Sequence, residues 1–453
     1  MDRKNGSKII LSRLSVVGLG KLGVCTAACF AYKGFQVLGV DINDNFVNAV
    51  NSGKASVYEP RLQELISLSK TRLKATNDYA RAIQETNITF LIVPTPSKQD
   101  GQFSDKYLKA ALKPLSIAFK ENKKKYHLFV ITSTVSPGTT EKTLIPLIEK
   151  YSGKKLNKDF GVCYNPEFIA LGDVINGVLK PDMVLIGESN EFAGEQIEKI
   201  YKKVCENKPY VARMSIVSAE ITKIALNAYI TMKISFANTL ANISEKIAKA
   251  NIDAITKALG ADKRISPYYL KGGLAYGGPC FPRDGKAFLA FAKGWGIEAK
   301  LAKATDEINQ FQIKHLVDKI LTHLLKTKKK SVSILGLTYK PDTPVIEESP
   351  AIKIIQPLLE KNIKITVYDP LAMENTKKIF GNKIYYASSL KECFVKSAFC
   401  IIATQAKEFK KIDESYIIHN PTTIFDCWRI IDASRLGKKV KYVGLGHFSF
   451  YPK

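Results

Sequence analysis

The first half of the chain alternates short runs of β-branched and other apolar residues with longer stretches whose apolar positions recur at helical spacing. Leu14–Val17, Gln36–Val40, Ile88–Pro94 and Leu128–Ser133 read as strands. Apolar runs of this kind, separated by helical stretches, predict a parallel sheet covered by helices on both faces. From about Ser215 to Ala250 the rhythm changes to one segment without glycine or proline and with apolar residues at helical spacing. A single long connecting helix is predicted there. Around Ser331 the alternation resumes, through Val332–Leu335, Ile363–Tyr368, Phe399–Ala403, Thr423–Phe425 and Val440–Val443. The pattern therefore predicts two doubly wound α/β domains with parallel sheets, joined by a long central helix. The repetition is architectural, since the two halves share no sequence repeat. The expected division is 1–212, 213–325 and 326–453, with the lysine-rich stretch 326–330 as a natural boundary.

Composition agrees with this picture. A chain of 453 residues exceeds what one hydrophobic core usually serves, so two or three domains are expected. A hydrophobic fraction of 45% with 24% charged residues belongs to a soluble globular protein. No apolar run approaches the roughly 20 residues of a membrane span, so no membrane partner is expected. The start, Met1-Asp2-Arg3-Lys4 followed by apolar residues, superficially suggests a signal peptide, but Arg13 interrupts it and a glycine-rich turn follows, so it reads as a buried strand. The eight cysteines are scattered without C-x-x-C spacing, which indicates neither a disulfide framework nor a metal site and fits a reducing cytoplasm. The net charge of +26 raises the question of nucleic acid. No aromatic-basic, helix-turn-helix or finger pattern accompanies the charge, so no nucleic-acid partner is expected, and lysine runs such as 123–125 and 328–330 read as solvated helix ends or loops.

Chemistry enters with Gly18-Leu19-Gly20-Lys21-Leu22-Gly23, a G-x-G-x-x-G turn directly after the first strand. Gly18, Gly20 and Gly23 let backbone N–H groups approach a pyrophosphate at a helix N-terminus, and Asp41, at the end of the second strand, can accept ribose hydroxyls. Strand, turn, helix and acid agree, which points to a dinucleotide. The carboxylate favours NAD over NADP, whose extra phosphate it would repel. Pro94-Thr95-Pro96 and Ser133-Thr134-Val135 follow strands at the carboxyl edge, where such sheets bind ligands, although hydroxyl loops also serve as N-caps and turns.

Gly277-Gly278-Pro279-Cys280-Phe281-Pro282-Arg283-Asp284 places a cysteine in a constrained turn with a positive charge and a carboxylate within four residues. Such a thiol suits a nucleophile; a structural thiol beside a surface turn is the other reading of this segment alone. Beside a nicotinamide, it could hold an aldehyde as a thiohemiacetal and let it be oxidised to a thioester. On the long helix, Lys223, Asn227, Thr231, Ser235 and Asn242 fall near one stripe, suited to a cleft or a subunit interface, where Lys223 could stabilise an oxyanion.

Together these segments resemble the UDP-glucose/GDP-mannose dehydrogenases nearly end to end. The resemblance is carried by G-L-G-K-L-G with Asp41, V-P-T-P, S-T-V, Y-N-P-E-F, K-x-x-x-N on the long helix, R-I-x-x-x-Y-L, G-G-P-C-F-P-R-D and G-L-T-Y-K-P-D-T-x-x-x-x-E-S-P-A. It implies an N-terminal Rossmann-type NAD domain, a central helix that forms a homodimer or higher homo-oligomer, and a C-terminal Rossmann-like domain for the nucleotide. It further implies Cys280 as nucleophile, Lys223 and Asp284 managing oxyanion charge and protons, and Glu167, Asn227 and Thr134 orienting sugar and water, with Glu167 the base for thioester hydrolysis. Cofactor contacts are implied at Gly18, Gly20, Leu22, Gly23, Asp41, Pro94, Thr95, Thr134 and Arg283. Substrate contacts are implied at Glu167, Phe168, Lys223, Asn227, Tyr269, Tyr276 and Gly277, with Arg264 reaching across the dimer and Lys340 at the nucleotide end. The implied reaction is a four-electron oxidation of a nucleotide-sugar CH2OH to a carboxylate, with two NAD reduced per sugar.

The chain departs from the family pattern at several positions. Arg283 replaces a common lysine, Leu171 an acid, Met183 and Glu347 arginines, and Asp426-Cys427-Trp428-Arg429 stands for D-G-R. Members acting on N-acetylated sugars usually carry G-G-H-C, so G-G-P-C with its basic-acid pair favours UDP-glucose, oxidised to UDP-glucuronate, with GDP-mannose and UDP-N-acetylhexosamines as alternatives. A catalytically silent nucleotide binder is the rival of a different class, and the joint presence of Cys280, Asp284, Lys223, Asn227 and Glu167 weighs against it.

Overall fold

The computed structural model describes residues 12–447 except Ala170 and Asn420, so the basic and then apolar start, 1–11, lies outside the described residues. Two compact units divide the chain at Ala225 and Leu226, inside the long helix Ile216–Ser244. The first unit carries β1 (Arg13–Val17), β2 (Gln36–Val40), β3 (Leu73–Thr76), β4 (Ile88–Leu91), β5 (His127–Ile131), β6 (Phe160–Tyr164), β7 (Met183–Glu188) and β8 (Tyr210–Ser215). They form one sheet in the order β3-β2-β1-β4-β5-β6-β7-β8. All neighbours run parallel except β6 and β7, which pair antiparallel through Cys163 with Glu188 and Tyr164 with Gly187. The sheet is thus parallel as expected but for that one step: the short helix Val174–Leu179 between them does not complete a crossover, and the chain turns back.

Period-two alternation places a core on each face of this sheet. Leu14 and Val16 of β1 and Leu128 and Val130 of β5 belong to one core, while Val17, Phe129 and Ile131 belong to the other. Each fully buried Leu or Phe contributes on the order of 2 kcal/mol of hydrophobic stabilisation. Lys124, read from sequence as solvated, is half-buried: its ammonium donates to the carbonyls of Ile83 and Thr86, and burial lowers its pKa to about 8.

The second unit begins with the rest of the long helix and holds the helices Ile252–Ala261, Phe281–Gly294 and Lys300–Thr327. Then come β9 (Ser331–Leu335), β10 (Lys364–Tyr368), β11 (Tyr385–Tyr386), β12 (Phe399–Ile402), β13 (Thr422–Asp426) and β14 (Val440–Gly444). This sheet is parallel throughout, in the order β11-β10-β9-β12-β13-β14. Val332 and Ile334 of β9 face one core and Leu335 the other. The lysine-rich stretch 326–330 comprises the last two residues of the helix Lys300–Thr327 and the turn from it into β9, inside this unit. Both sheets share the doubly wound order that reverses beside the first strand, which is where open α/β sheets bind ligands.

Candidate active site

In the first unit β1 ends on Gly18 at φ +94, where a Cβ would sit 2.3 Å from the carbonyl oxygen of Ile92. At Gly23 a Cβ would lie 1.8 Å from the oxygen of Gly18, so both glycines are required by close backbone packing. Gly20 differs: nothing lies within 4 Å of its Cβ position. Gly20 is also the N-cap of the helix Lys21–Tyr32 and offers that helix no side-chain cap. The turn therefore presents open space in front of a helix N-terminus, whose amides and dipole favour an anion. The Asp41 carboxylate braces the turn, accepting from the Leu19 amide at 2.6 Å and the Asn43 amide at 2.8 Å. An open Gly20 with a carboxylate at the second strand's end fits the pyrophosphate and ribose of NAD. Leu22 packs half-buried on the first core, Thr95 is buried, Pro94 is exposed and Thr134 is half-buried. The hydroxyl of Ser133 joins the last two loops, accepting from the Val93 amide at 2.9 Å and donating to its carbonyl at 2.7 Å.

Beyond β6 the segment Asn165-Pro166-Glu167-Phe168 continues at the same sheet. The Asn165 amide donates to the Leu185 carbonyl at 2.9 Å, which bridges the gap beside the antiparallel step. Glu167 accepts from the Tyr201 hydroxyl at 3.0 Å. Burial pushes its pKa up to about 7, against the opposing pull of the Tyr201 hydroxyl and the Lys223 charge. Lys223, itself buried, donates to the Glu167 carbonyl at 2.7 Å and stands 4.6 Å above the Phe168 ring. Sequence reasoning missed Tyr201 and Glu220. Glu220 is fully buried and accepts from the amides of Gly138 and Thr140, which ties the loop after Thr134 to the long helix. The only local signal for it was an acid among apolar helical positions.

In the second unit Cys280 is an exposed thiol at the N-cap of the helix Phe281–Gly294. A helix N-terminus favours the thiolate. Asp284, in the first turn, is wholly buried, and both its oxygens are engaged: one accepts from Asn227 at 2.6 Å, the other from the Arg283 guanidinium at 3.1 Å twice. The structure thus joins Asn227, Arg283 and Asp284 beneath the cysteine. Gly277 and Gly278 are explained by the segment after β9: a Cβ on Gly277 would meet the Glu348 oxygen at 2.2 Å, and Gly278, at φ +84, would meet the Tyr339 ring at 2.5 Å. Tyr276 is buried and its ring packs edge-on against Phe281 at 6.2 Å, as Tyr269 does at 6.1 Å from an exposed position. Lys340 is half-buried. Arg264 is exposed and forks onto Asp262 at 2.6 and 3.0 Å.

The departures from the family pattern have local structural roles. Leu171 packs on the first core and Met183 on the second. The Glu347 carbonyl accepts from Gly278 at 3.1 Å. Trp428 donates its indole N–H to Ala403 at 2.8 Å and lies against Gly273, where a Cβ would be 2.9 Å from the ring. Arg429, almost wholly buried, forks onto Asp253 at 2.7 and 2.9 Å and also donates to the Gly272 carbonyl at 2.7 Å. Of the polar stripe expected in a cleft or at a subunit surface, Thr231 and Ser235 are instead buried, donating to the Asn227 carbonyl at 2.9 Å and the Thr305 carbonyl at 3.0 Å. Asn242 is half-buried and lines an open cleft with Ile243, Ile247 and Phe311 while donating to Gln312 at 2.7 Å.

Comparison with known proteins follows the same three parts of the chain. Models of the UDP-glucose/GDP-mannose dehydrogenase family match in succession: the NAD binding domain over residues 12–205, the central domain over 217–311 and the UDP binding domain over 333–433. The chain is 36% identical over 423 residues to the UDP-glucose 6-dehydrogenase AglM of Haloferax volcanii, covering 92% of this chain and 97% of that protein. It is 33% identical to the UDP-glucose 6-dehydrogenase TuaD of Bacillus subtilis, covering 89% and 86%. A solved structure of a UDP-glucose dehydrogenase from Pyrobaculum islandicum superposes with a TM-score of 0.87 at 30% identity, covering 99% of both chains.

Proposed function

This chain belongs to the UDP-glucose/GDP-mannose dehydrogenase family and is an NAD-dependent nucleotide-sugar 6-dehydrogenase, and we propose that UDP-glucose is its substrate and UDP-glucuronate its product. The observation that carries the residue assignment is the exposed Cys280 thiol at a helix N-terminus, above the Asp284 carboxylate that Asn227 and Arg283 hold in place. When bound, NAD supplies the hydride acceptor for both oxidations. Gly18, Gly20, Gly23 and Asp41 hold its pyrophosphate and ribose, with Leu22, Pro94, Thr95, Thr134 and Arg283 as further contacts.

The residues divide the chemistry as follows. The sugar hydroxyl loses its proton as its carbon loses a hydride, and the Lys223 ammonium balances the negative charge that develops on oxygen. The Cys280 thiolate adds to the aldehyde carbon, forming a C–S bond, and the carbonyl oxygen takes up a proton to give the thiohemiacetal. Loss of that proton and of the second hydride leaves a thioester. Glu167, with its pKa near 7, is divided between acid and carboxylate at neutral pH and so can take the proton of a water that attacks the thioester. The C–S bond breaks and Cys280 leaves as thiolate. One water is consumed and two NADH and three protons are released per sugar. Phe168, Asn227, Tyr269, Tyr276, Gly277 and Lys340 bind the nucleotide sugar.

A homodimer is part of the same reading. Tyr229, Phe236 and Ile243 form an exposed apolar stripe at helical spacing on the long helix, Ile247 is exposed just past its end, and Phe311 is exposed on the helix Lys300–Thr327. Such a stripe calls for a covering surface, here a second copy, with Arg264 reaching the partner's substrate. Among the described residues no helix is long and apolar enough to cross a membrane, and the cytoplasm is the proposed location, where NAD and nucleotide sugars are at hand. NADH formation measured with UDP-glucose, GDP-mannose, UDP-N-acetylglucosamine and UDP-N-acetylmannosamine tests the substrate. Two NADH per UDP-glucuronate are expected; turnover confined to another sugar would overturn UDP-glucose.

A further inference from the structure

The stretch Gly272–Pro279, which leads to Cys280, contains neither helix nor strand, yet Gly272 to Gly278 are all buried. Buried backbone without regular structure must find partners for its N–H and C=O groups elsewhere. Three side-chain amides supply them. Asn238 of the long helix accepts from the Gly273 amide at 2.8 Å and donates to the Leu274 carbonyl at 3.2 Å. Asn309, on the helix Lys300–Thr327, accepts from the Tyr276 amide at 2.8 Å and donates to the Tyr276 carbonyl at 3.1 Å. Gln312, one turn on, donates to the Gly273 carbonyl at 3.2 Å while its own oxygen accepts from Asn242 at 2.7 Å. All three are buried, with exposures of 0%, 6% and 3%.

We propose that Asn238, Asn309 and Gln312 are positioning residues for the nucleophile, fixing through the loop backbone where the Cys280 sulfur stands at its helix N-terminus. The proposal rests on Cys280 being the nucleophile. A side-chain amide carries a donor and an acceptor in one plane, so it can pair with a peptide unit as a neighbouring strand would. Asn309 does this with both polar groups of the single residue Tyr276. Helix packing by itself would be served by apolar side chains, because burying an amide costs free energy unless every polar atom is paired. The pairing here is with the loop. The same loop is held on its other side, where Gly272 accepts from Arg429 and Gly278 donates to Glu347. With both flanks fixed, the thiol has little freedom to drift from the distance at which a C–S bond forms, and displacement of a reacting group by about 1 Å can cost on the order of 10²-fold in rate.

The test uses the full-length protein with Asn309→Ala, Asn309→Asp and Asn238→Ala. One readout needs no substrate: the pH dependence of iodoacetamide labelling of Cys280, followed by peptide mass. The other is the separation of kcat from the KM for NAD. Asn309→Ala is expected to lower kcat by about 10²-fold, to leave the NAD KM within about twofold of wild type, and to move the labelling midpoint to higher pH as the thiol leaves the helix N-terminus. Asn309→Asp keeps the acceptor for the Tyr276 N–H and should recover part of both effects. An unchanged labelling profile in folded Asn309→Ala and Asn238→Ala, whatever their thermal stability, would reduce the amides to structural residues and overturn the proposal. If Asn309→Ala does not fold, Asn309→Asp and Asn238→Ala decide in the same way. A wild type that oxidises no nucleotide sugar would sink the functional reading, while the labelling arm still judges the clamp.

Discussion

The two sheets begin with the same construction and use it differently. Gly18 after β1 and Gly336 after β9 have φ of +94 and +89, and each donates its amide to the end of the next strand, to Val40 and to Tyr368, at 2.8 Å. Asp41 accepts from the Leu19 amide at 2.6 Å and the Asn43 amide at 2.8 Å; Asp369 accepts from Leu337 at 2.7 Å and Leu371 at 2.8 Å. The paths then part. After Gly18 a helix starts at Lys21, behind an uncapped and open Gly20, whereas after Gly336 the next helix starts only at Pro350. The intervening segment carries Tyr339, Glu347 and Glu348, against which Gly277 and Gly278 are pressed. One junction thus leaves a helix N-terminus open, where the proposed reading seats the dinucleotide, and the other supports the loop that leads to Cys280, the proposed nucleophile. Strand order says where a site can form; the residues between strand and helix decide which site it becomes.

Losing the second region's chemistry while keeping the first region's binding would be the sharpest break of this comparison. Cys280→Ser is expected to lower sugar-acid formation by about 10³-fold or more, with NAD affinity unchanged by equilibrium titration. Sugar acid formed at the wild-type rate would refute the covalent route. The converse substitution is Gly20→Ala. Because its Cβ meets no protein atom, the fold should be undisturbed while NAD affinity falls by about tenfold to 10²-fold, of the order of one or two lost phosphate hydrogen bonds. A variant that binds NAD normally would mean that the cofactor does not approach this turn.

Smaller effects separate the two aspartates. Asp41→Asn should narrow the preference for NAD over NADP by about tenfold, since it removes a charge that would repel the extra phosphate. Asp369→Asn should leave cofactor kinetics alone and lower thermal stability by about 4 °C, as expected for a loss of about 1 kcal/mol in a buried turn. Equal effects of the two substitutions on NADP use would erase the distinction between the junctions. The finest test concerns Glu167, whose folded pKa is raised from 4.5 to about 7. Catalysis should rise with pH through about 7 as its carboxylate forms, and Glu167→Gln should lack that limb in the pH dependence of kcat. The stability sign is opposite: a raised folded pKa stabilises below the unfolded value and that contribution fades as pH climbs from 4.5 toward 7. Wild type should therefore lose stability relative to Glu167→Gln across that interval in thermal melts.

The sequence alone determined whatever is written in consecutive residues. The Gly18–Gly23 turn, Asp41, the apolar strands that begin both sheets, the glycine-free long helix and the constrained cysteine were all legible, because strand alternation, turn geometry and a helix N-terminus depend on neighbours within a few positions. The short or mixed strands Leu73–Thr76, Phe160–Tyr164, Met183–Glu188 and Tyr210–Ser215 carried too weak a local pattern, and the reversal between β6 and β7 depends on where the chain goes next. Tertiary structure decided the partners. Asn238, Asn309 and Gln312 look like ordinary polar helix residues until the fold brings Gly273 and Tyr276 beside them. Glu220 is unremarkable until Gly138 and Thr140 arrive, and the raised pKa of Glu167 comes from burial that only packing creates. A local rule can specify a backbone shape, but pairing across tens of residues and exclusion of water are properties of the assembled fold alone.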